Sequence, residues 1–291
     1  MRSAARTSRR SVGRARKHLR ALPAYAVATL LSLLFAIPLL WVVSSSFKSD
    51  DEIYSMHGHF LPQRPTLAHY LDLVAALPQF PGYMLNSVIV TVISVSAVVF
   101  IAALAGYPLA RLRFGGRRLV FSFVLLAVAV PYVLYLVPIY VIESDIGLLN
   151  SLLGLILPYI ALNLPLAIIL MEGSYRTVPR DFEDAARVDG CSPFRVWWSV
   201  ALPLAGPGVA ASVIFTFVAV WEEFMFAVTL FGAGDNTTFP VGITFLQSEG
   251  QSYAFGQLSA TIVIGLMPAL MIFLLLQRHF VKGLLEGGLK G

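Results

Sequence analysis

Charge and cysteine are both scarce in this chain of 291 residues. Only 13% of the residues are charged, whereas 57% are hydrophobic, and a soluble domain of this size needs more charge on its surface. The single cysteine, Cys191, excludes an internal disulfide, and nothing around it suggests a zinc site or a thiol nucleophile with a partner. Long apolar runs without charges are present instead, and they indicate an integral membrane protein.

A phosphate-binding loop is also missing. Such a loop needs a lysine that follows a glycine and precedes a serine or threonine. The lysines of this chain are Lys17, Lys48, Lys282 and Lys290, and none of them follows a glycine. The chain therefore cannot hydrolyse ATP through a P-loop, and if it takes part in active transport, the energy must come from a partner chain. No Ser/His/Asp constellation or His-Glu-x-x-His motif occurs either.

Six apolar segments predict an all-α membrane protein with six transmembrane helices. The predicted spans cover approximately residues 25–43, 85–109, 119–141, 152–171, 209–231 and 258–276. We assign residues 1–21 to a basic tail, 22–277 to the six-helix domain and 278–291 to a C-terminal tail. A polar loop at about 178–207 separates the fourth span from the fifth.

The distribution of basic residues predicts the orientation of these spans. If both termini and the second and fourth loops are cytoplasmic, Lys48 and Arg64 are the only basic residues, of 21, that lie outside. The positive-inside rule is then satisfied at every short loop. For the N-terminal tail, a role in topology and in contact with anionic lipid is favoured over nucleic-acid binding. We therefore expect a multi-pass membrane protein with both termini in the cytoplasm.

The polar loop reads as two short helices around a glycine turn. Asp181 is a candidate N-cap, and Glu183 and Asp184 place negative charge in the first turn, where the helix dipole favours it. Gly190 falls at the helix end, where a left-handed conformation is often needed. Ser192 and Pro193 read as the N-cap and first residue of the second helix.

The second helix is predicted from aromatic and small residues at helical spacing. These residues are Phe194, Trp197, Trp198 and Ala201, and prolines at 203 and 207 limit the helix. Ala185 and Ala186 carry little side chain near the turn, so another surface can approach closely. From these local features alone, the loop is either an ordinary connector or a docking element.

Two carboxylates, Glu222 and Glu223, lie inside the fifth apolar run. Ionisable groups within a membrane usually face a cavity or a partner, which favours a polar substrate path. The alternative is a helix interrupted near the outer interface, with both carboxylates reaching water. A third polar feature, His57-Gly58-His59, is interpreted as a solvated loop rather than a metal site, because no third ligand has recognisable spacing.

The polar loop also carries a family pattern: an acidic residue, two alanines, a glycine, and a later Leu-Pro pair. Asp184, Ala185, Ala186, Gly190, Leu202 and Pro203 occupy these positions, with Asp189 before the glycine. The pattern resembles the "EAA" loop of permease subunits in binding-protein-dependent ABC importers. Asp184 stands where the family usually has glutamate. In that family the loop is a coupling helix that docks into a groove on a separate ATPase subunit.

The resemblance extends over nearly the whole chain from about residue 25. The stretches that carry it are Asn86-Ser87, Gly106 to Arg111, Gly147 to Ser151, Leu157-Pro158-Tyr159 and Trp221-Glu222-Glu223-Phe224, together with a glycine-rich ending at Gly287 to Gly291. They are similar to sugar importers of the maltose type. Glu222 replaces the asparagine that this family has in its Trp-Asn-Glu-Phe stretch.

The resemblance implies a permease for a sugar or glycerol-like solute in a bacterial or archaeal plasma membrane. It also implies a transport subunit rather than an enzyme, with ATP and Mg²⁺ bound to a separate ATPase. Its expected partners are a second related permease, two ATPase subunits, an extracytoplasmic solute-binding protein and membrane lipid, with no nucleic acid. An importer of another solute, such as a polyamine or peptide, is the nearest alternative. An ion-driven secondary transporter using Glu222 and Glu223, or a membrane-embedded enzyme, would not need the ATPase dock.

Overall fold

The computed structural model describes residues 4–55, 59–231, 237–248 and 255–288. Within these ranges all regular structure is helical, which agrees with the predicted fold class. The α-helices are α1 Ala4–Ser45, α2 Asp50–Ile53, α3 Ala68–Ala76, α4 Phe80–Arg111, α5 Arg117–Ala129, α6 Leu136–Ile146, α7 Leu152–Thr177, α8 Arg180–Val188, α9 Pro193–Val196, α10 Leu202–Leu204, α11 Gly206–Trp221, α12 Met225–Phe231, α13 Phe239–Ser248 and α14 Phe255–Gly288. A 3₁₀ turn, Tyr132–Tyr135, precedes α6, and a π-helical segment, Trp197–Ala201, joins α9 to α10. His57 and the ending at 289–291 lie outside the described residues.

Four helices of the described chain are long and apolar enough to cross a membrane. They are Tyr25–Ser45, Phe80–Arg111, Leu152–Thr177 and Phe255–Gln277. Two bent helix pairs raise the number of spans to as many as six, the number predicted from the sequence. The first pair, Arg117–Ala129 with Tyr132–Ile146, bends by 94°, and the second, Pro193–Leu204 with Gly206–Trp221, bends by 74°.

The third predicted span is therefore bent rather than straight. Pro131 lies at the bend and follows Val130, which is extended at φ −78° and ψ 124°. A proline disfavours the α conformation in the residue before it and supplies no N–H, so α5 ends here. The fifth predicted span, 209–231, is also discontinuous, because α11 ends at Trp221 and α12 begins at Met225.

Two compact units make up the chain. The first contains residues up to Asp72 and the segment Tyr253–Val263. In it, Lys48 is buried, and its ammonium lies 4.4 Å from the ring centre of Trp41 while donating to the carbonyl of His59 at 2.5 Å. His69 is buried beside it and contacts the carbonyl of Lys48 at 2.6 Å. These contacts satisfy the buried polar groups of the loop after the first span.

The second unit, Leu73–Ser252 with Ile264–Gly291, contains α4 to α13 and the larger part of α14, and it is built on α4, α7 and α11. Its core between α4 and α7 includes Val98, Ala102, Met171 and Tyr175, none more than 1% exposed. Gly106 lets these helices approach closely, because a Cβ there would lie 2.9 Å from the Cβ of Met171. This close packing makes α4 and α7 a rigid support for the segments that follow.

Candidate functional site

The first helix of the polar loop, α8, begins one residue before the predicted Asp181 cap. Pro179 is the N-cap residue, and no side chain caps this helix. Val178 is extended because a residue before proline avoids the α conformation, and Pro179 is itself extended as the N-cap residue. The helix therefore starts at Arg180, and Asp181 and Glu183 fall in its first turn. The prediction that Asp181 caps the helix is wrong, although its charge still lies where the helix dipole favours it.

The glycine turn of the loop is confirmed. Gly190 has φ +84°, the left-handed conformation that other residues adopt at a cost. The N–H groups of Asp189, Gly190 and Cys191 donate to carbonyls of the preceding helix, the last of them to Ala186 at 3.0 Å. These bonds satisfy the C-terminal carbonyls of α8 and reverse the chain direction.

The second helix of the loop starts as predicted, with the Ser192 hydroxyl accepting from the N–H of Arg195 at 3.4 Å and Pro193 following. Pro203 does not end it, since the helical path continues to Leu204. The π-helical segment directly before α10 widens the turn where the proline ring must fit. The path ends before Pro207, which lies in the first turn of α11.

A buried carboxylate attaches the loop to α4. The side chain of Glu183 is only 2% exposed, and its Oε1 lies 2.7 Å from Nε of Arg111. The Tyr107 hydroxyl donates to its Oε2 at 2.9 Å, and Arg187 donates to the same oxygen at 3.2 Å. Arg111 also donates to the carbonyl of Val178 at 2.6 Å. Removing one partner of a buried ion pair costs about 3–5 kcal/mol, so this contact holds α8 firmly.

Arg187 extends this network to the surface. It donates to Asp184 at 2.5 Å as well as to Glu183. Burial alone would lower the pKa of Arg187, but Tyr107, Glu183 and Asp184 outweigh it and raise the pKa. The arginine therefore stays charged at every physiological pH, and the pairing with Glu183 persists.

Aromatic side chains attach the second helix of the loop to the core. Trp197 is 3% exposed, and its Nε1 donates to the Tyr175 hydroxyl at 3.0 Å. Tyr175 in turn donates to the carbonyl of Ala103 on α4 at 3.1 Å. The loop is thus fixed to α4 and α7 at two points, one ionic and one aromatic.

The predicted coupling residues divide between the surface and the interior. Asp184, Ala185, Asp189 and Gly190 are exposed, whereas Ala186, which belongs to α8, is buried. Leu202 is half-buried and Pro203 exposed, and both line an apolar groove with Trp198. The exposed side of the loop also presents three large apolar side chains, Phe182, Val188 and Phe194, of which Val188 is 87% exposed. An apolar surface on an otherwise polar loop is typical of a docking element.

Glu223 has a structural role at the break in the fifth apolar run. Its Oε1 accepts from the N–H of Phe226 at 2.9 Å, and its Oε2 accepts from the N–H of Ala227 at 3.1 Å. The Tyr159 hydroxyl, on α7, donates to the same Oε2 at 2.5 Å. Glu223 therefore caps α12 from within the chain, and this cap explains why the apolar run does not continue as one helix.

Glu222 differs from its neighbour, because its side chain makes no hydrogen bond or ion pair within the part of the chain that the structure describes. It is exposed at the end of α11 and lines a cleft of about 520 Å³. Tyr132, Tyr159 and Asn163 contribute polar atoms to this cleft, and Phe226 contributes an aromatic surface. The helix break predicted by the interfacial alternative is present, and the cleft required by the path alternative is present as well.

The contacts of Glu183 with Tyr107 and Arg111 were not predicted from the sequence. Glu183 was placed only as a helix-dipole charge, and Tyr107 and Arg111 only as parts of a family stretch. The available signal was Arg111, a charged residue at the end of an apolar helix, which needs a partner when it is buried.

Comparisons with known proteins agree with this geometry. The family described as "Binding-protein-dependent transport system inner membrane component" matches residues 99–286. The chain is 34% identical over 267 residues to the sulfoquinovosyl glycerol transport system permease protein SmoH of Agrobacterium fabrum, covering 92% of this chain and 93% of that protein. It is also 34% identical over 264 residues to the diacetylchitobiose uptake system permease protein NgcG of Streptomyces coelicolor, covering 90% and 87%.

A solved structure shows the same fold. A chain in the crystal structure of a bacterial ABC transporter that imports the acidic polysaccharide alginate superimposes with a TM-score of 0.76. The alignment covers 90% of this chain and 97% of that chain at 20% sequence identity. The family match over residues 99–286 and the 34% identity to SmoH identify the chain as a member of the family of binding-protein-dependent transport system inner membrane components, the membrane permease subunits of ABC importers.

Proposed function

We propose that the chain forms part of the translocation path for a sugar or related polyol and couples that path to a separate ATPase. The observation that carries the solute class is the likeness to SmoH and NgcG, whose names refer to a sulfoquinovosyl glycerol and to diacetylchitobiose. The cleft at Glu222 adds support, because hydroxyl, amide and carboxylate groups beside aromatic rings suit a polyhydroxylated solute.

Membership of the family makes the chain a multi-pass plasma-membrane subunit that works with an ATPase and a solute-binding protein. It also argues against an ion-gradient mechanism, since the energy is supplied by the ATPase. The finer arrangement belongs to this proposal: a second related permease, two ATPase subunits with ATP and Mg²⁺, and an extracytoplasmic binding protein. In the first span, Tyr25–Ser45, the most apolar 18-residue stretch contains no buried residue, so most of this helix remains available to lipid or another subunit.

We place the ATPase contact on the exposed side of the loop, at Asp184, Ala185, Asp189 and Gly190. Val188 and Phe182 lie beside them and supply apolar surface. Glu183 keeps the loop attached to α4 while the ATPase moves it. In the proposed cycle, ATP closes the ATPase dimer, the loop follows, and the helices reopen toward the binding protein.

The docking role predicts the effect of changing Gly190. Gly190→Leu adds strain on the order of 1 kcal/mol at φ +84° and adds volume where the partner must approach. We expect normal abundance in the membrane, weakened retention of the ATPase and loss of solute-stimulated ATP hydrolysis. Co-purification and hydrolysis in reconstituted vesicles measure both effects, and the external binding protein should keep its affinity for its ligand.

Two further variants separate docking from strain. Val188→Ser removes an exposed apolar contact without touching the backbone, and it should also weaken ATPase retention. Leu61→Ser is its control, because Leu61 is 69% exposed in the loop after the first span. ATPase retention at the wild-type level in both Gly190→Leu and Val188→Ser would mean that the polar loop is only a connector.

The two carboxylates are predicted to respond differently to removal of their charge. Glu222→Gln should change the solute preference or the KM of uptake and leave the melting temperature unchanged, since its side chain has no partner among the described residues. Glu223→Gln should lower stability by about 1.5–3 kcal/mol, because it weakens charged hydrogen bonds that cap α12. Uptake and thermal unfolding of the purified complex provide the measurements. Unchanged uptake of every tested solute in Glu222→Gln would favour the interfacial interpretation.

The orientation with both termini in the cytoplasm predicts the behaviour of reporters. A compartment-sensitive reporter fused after Gly291 should report cytoplasm, and one inserted near His57 should report the outside. The reason is the concentration of basic residues in the loops and tails assigned to the cytoplasm. If both reporters were found on the same side, the six-span arrangement would be wrong.

A further inference from the structure

A basic cleft of about 840 Å³ lies at the start of α5, in the loop between the second and third spans. Four arginines line it: Arg113, Arg117, Arg118 and Arg176. The first three come from the loop and the first turn of α5, and Arg176 comes from the last turn of α7. The cleft is separate from the carboxylate cleft at Glu222 and is not used in the proposed coupling contact.

The positive charge of this cleft is only partly neutralised within the chain. Glu172 is buried, lying 2.5 Å from Arg176 and 3.8 Å from Arg117. The side chains of Arg113 and Arg118 make no ion pair or hydrogen bond with any residue in the described ranges. One carboxylate therefore faces four guanidinium groups, which leaves room for an added anion.

The N-terminus of α5 increases the need for an anion. The positive end of the helix dipole lies here, yet the first turn holds Arg117 and Arg118 and no acidic residue. Gly116 is the N-cap residue and offers no side-chain acceptor to the free N–H groups. Cations at a helix N-terminus are unfavourable, whereas a phosphate there is stabilised by both the dipole and the N–H groups.

Exposed apolar side chains next to the cleft favour an anion that carries apolar chains. Leu119 borders it and is 62% exposed, and Phe123, one turn further along α5, is 62% exposed as well. These residues belong to an apolar pair of helices long enough to form a span. A molecule with an anionic head and apolar chains fits a basic cleft beside an apolar helix face, because its head contacts the arginines while its chains lie along α5.

We propose that this cleft binds the phosphate of an anionic phospholipid, with Arg113 and Arg118 as its free ligands and the acyl chains against Leu119 and Phe123. Arg176 and Arg117 complete the cationic wall while remaining paired with Glu172. The site fixes the start of the third span to the membrane boundary. It depends on neither the solute nor the ATPase contact, so it can be tested apart from the proposed function.

The test uses the assembled transporter in nanodiscs of phosphatidylcholine with increasing phosphatidylglycerol. The variant is the double substitution Arg113→Gln with Arg118→Gln, which breaks no ion pair among the described residues and should leave thermal unfolding unchanged. We expect phosphatidylglycerol retention, measured by native mass spectrometry, to be about thirtyfold weaker than in the wild type.

The matched control is Arg180→Gln with Arg195→Gln, which removes the same charge from the loop between the fourth and fifth spans, on the same side of the membrane. It should retain phosphatidylglycerol as the wild type does. An equal loss in both double variants would overturn the site in favour of a general charge effect. Displacement of the lipid by soluble glycerol 3-phosphate would assign the cleft to a free phosphate ester. Unchanged lipid retention with loss of the ATPase would make the cleft a protein contact.

Discussion

The buried carboxylate of Glu183 is the constraint on which the position of the polar loop at about 178–207 depends. A charge that is 2% exposed must keep its partners, and Arg111, Tyr107 and Arg187 supply them. Moving α8 away from α4 would break the ion pair between Glu183 and Arg111, and a charge that stays buried without its partner costs about 3–5 kcal/mol. The loop therefore moves with α4 rather than independently of it.

Helix α7 connects the polar loop to the cleft at Glu222. Tyr175 connects α7 to the loop helix through Trp197, and Tyr159 connects α7 to Glu223. These two tyrosines are 16 residues apart in the sequence, which corresponds to about 24 Å along the helix. Because α4 and α7 pack closely at Gly106, a displacement at the loop is carried by a stiff pair of helices. This continuity is the physical connection that the proposed alternating access requires.

The sequence predicts the features that local rules control. The helix–glycine–helix arrangement of the loop, the left-handed Gly190 and the Ser192 cap follow from capping chemistry. The six apolar runs follow from composition. A helix break at Glu222 and Glu223 was one of two alternatives, but its cause could not be predicted, because Glu223 bonds to N–H groups three and four residues ahead and to Tyr159 on another helix. For the Glu183 contact, Arg111 signals the need for a partner but does not identify it, since Tyr107 is 76 residues from Glu183 and an acidic residue on a short polar helix is normally exposed.

The central claim is that Glu183 transmits movement between the ATPase and the membrane helices, and the number of solute molecules imported per ATP hydrolysed tests it most directly. The measurement compares Glu183→Gln with Asp181→Asn in reconstituted complexes that retain both ATPase subunits. Asp181 is an exposed carboxylate in the first turn of the same helix, and its side chain makes no ion pair among the described residues. Our account predicts that the ratio falls in Glu183→Gln, because α8 is no longer held to Arg111, and stays at the wild-type value in Asp181→Asn. A wild-type ratio in Glu183→Gln would contradict it.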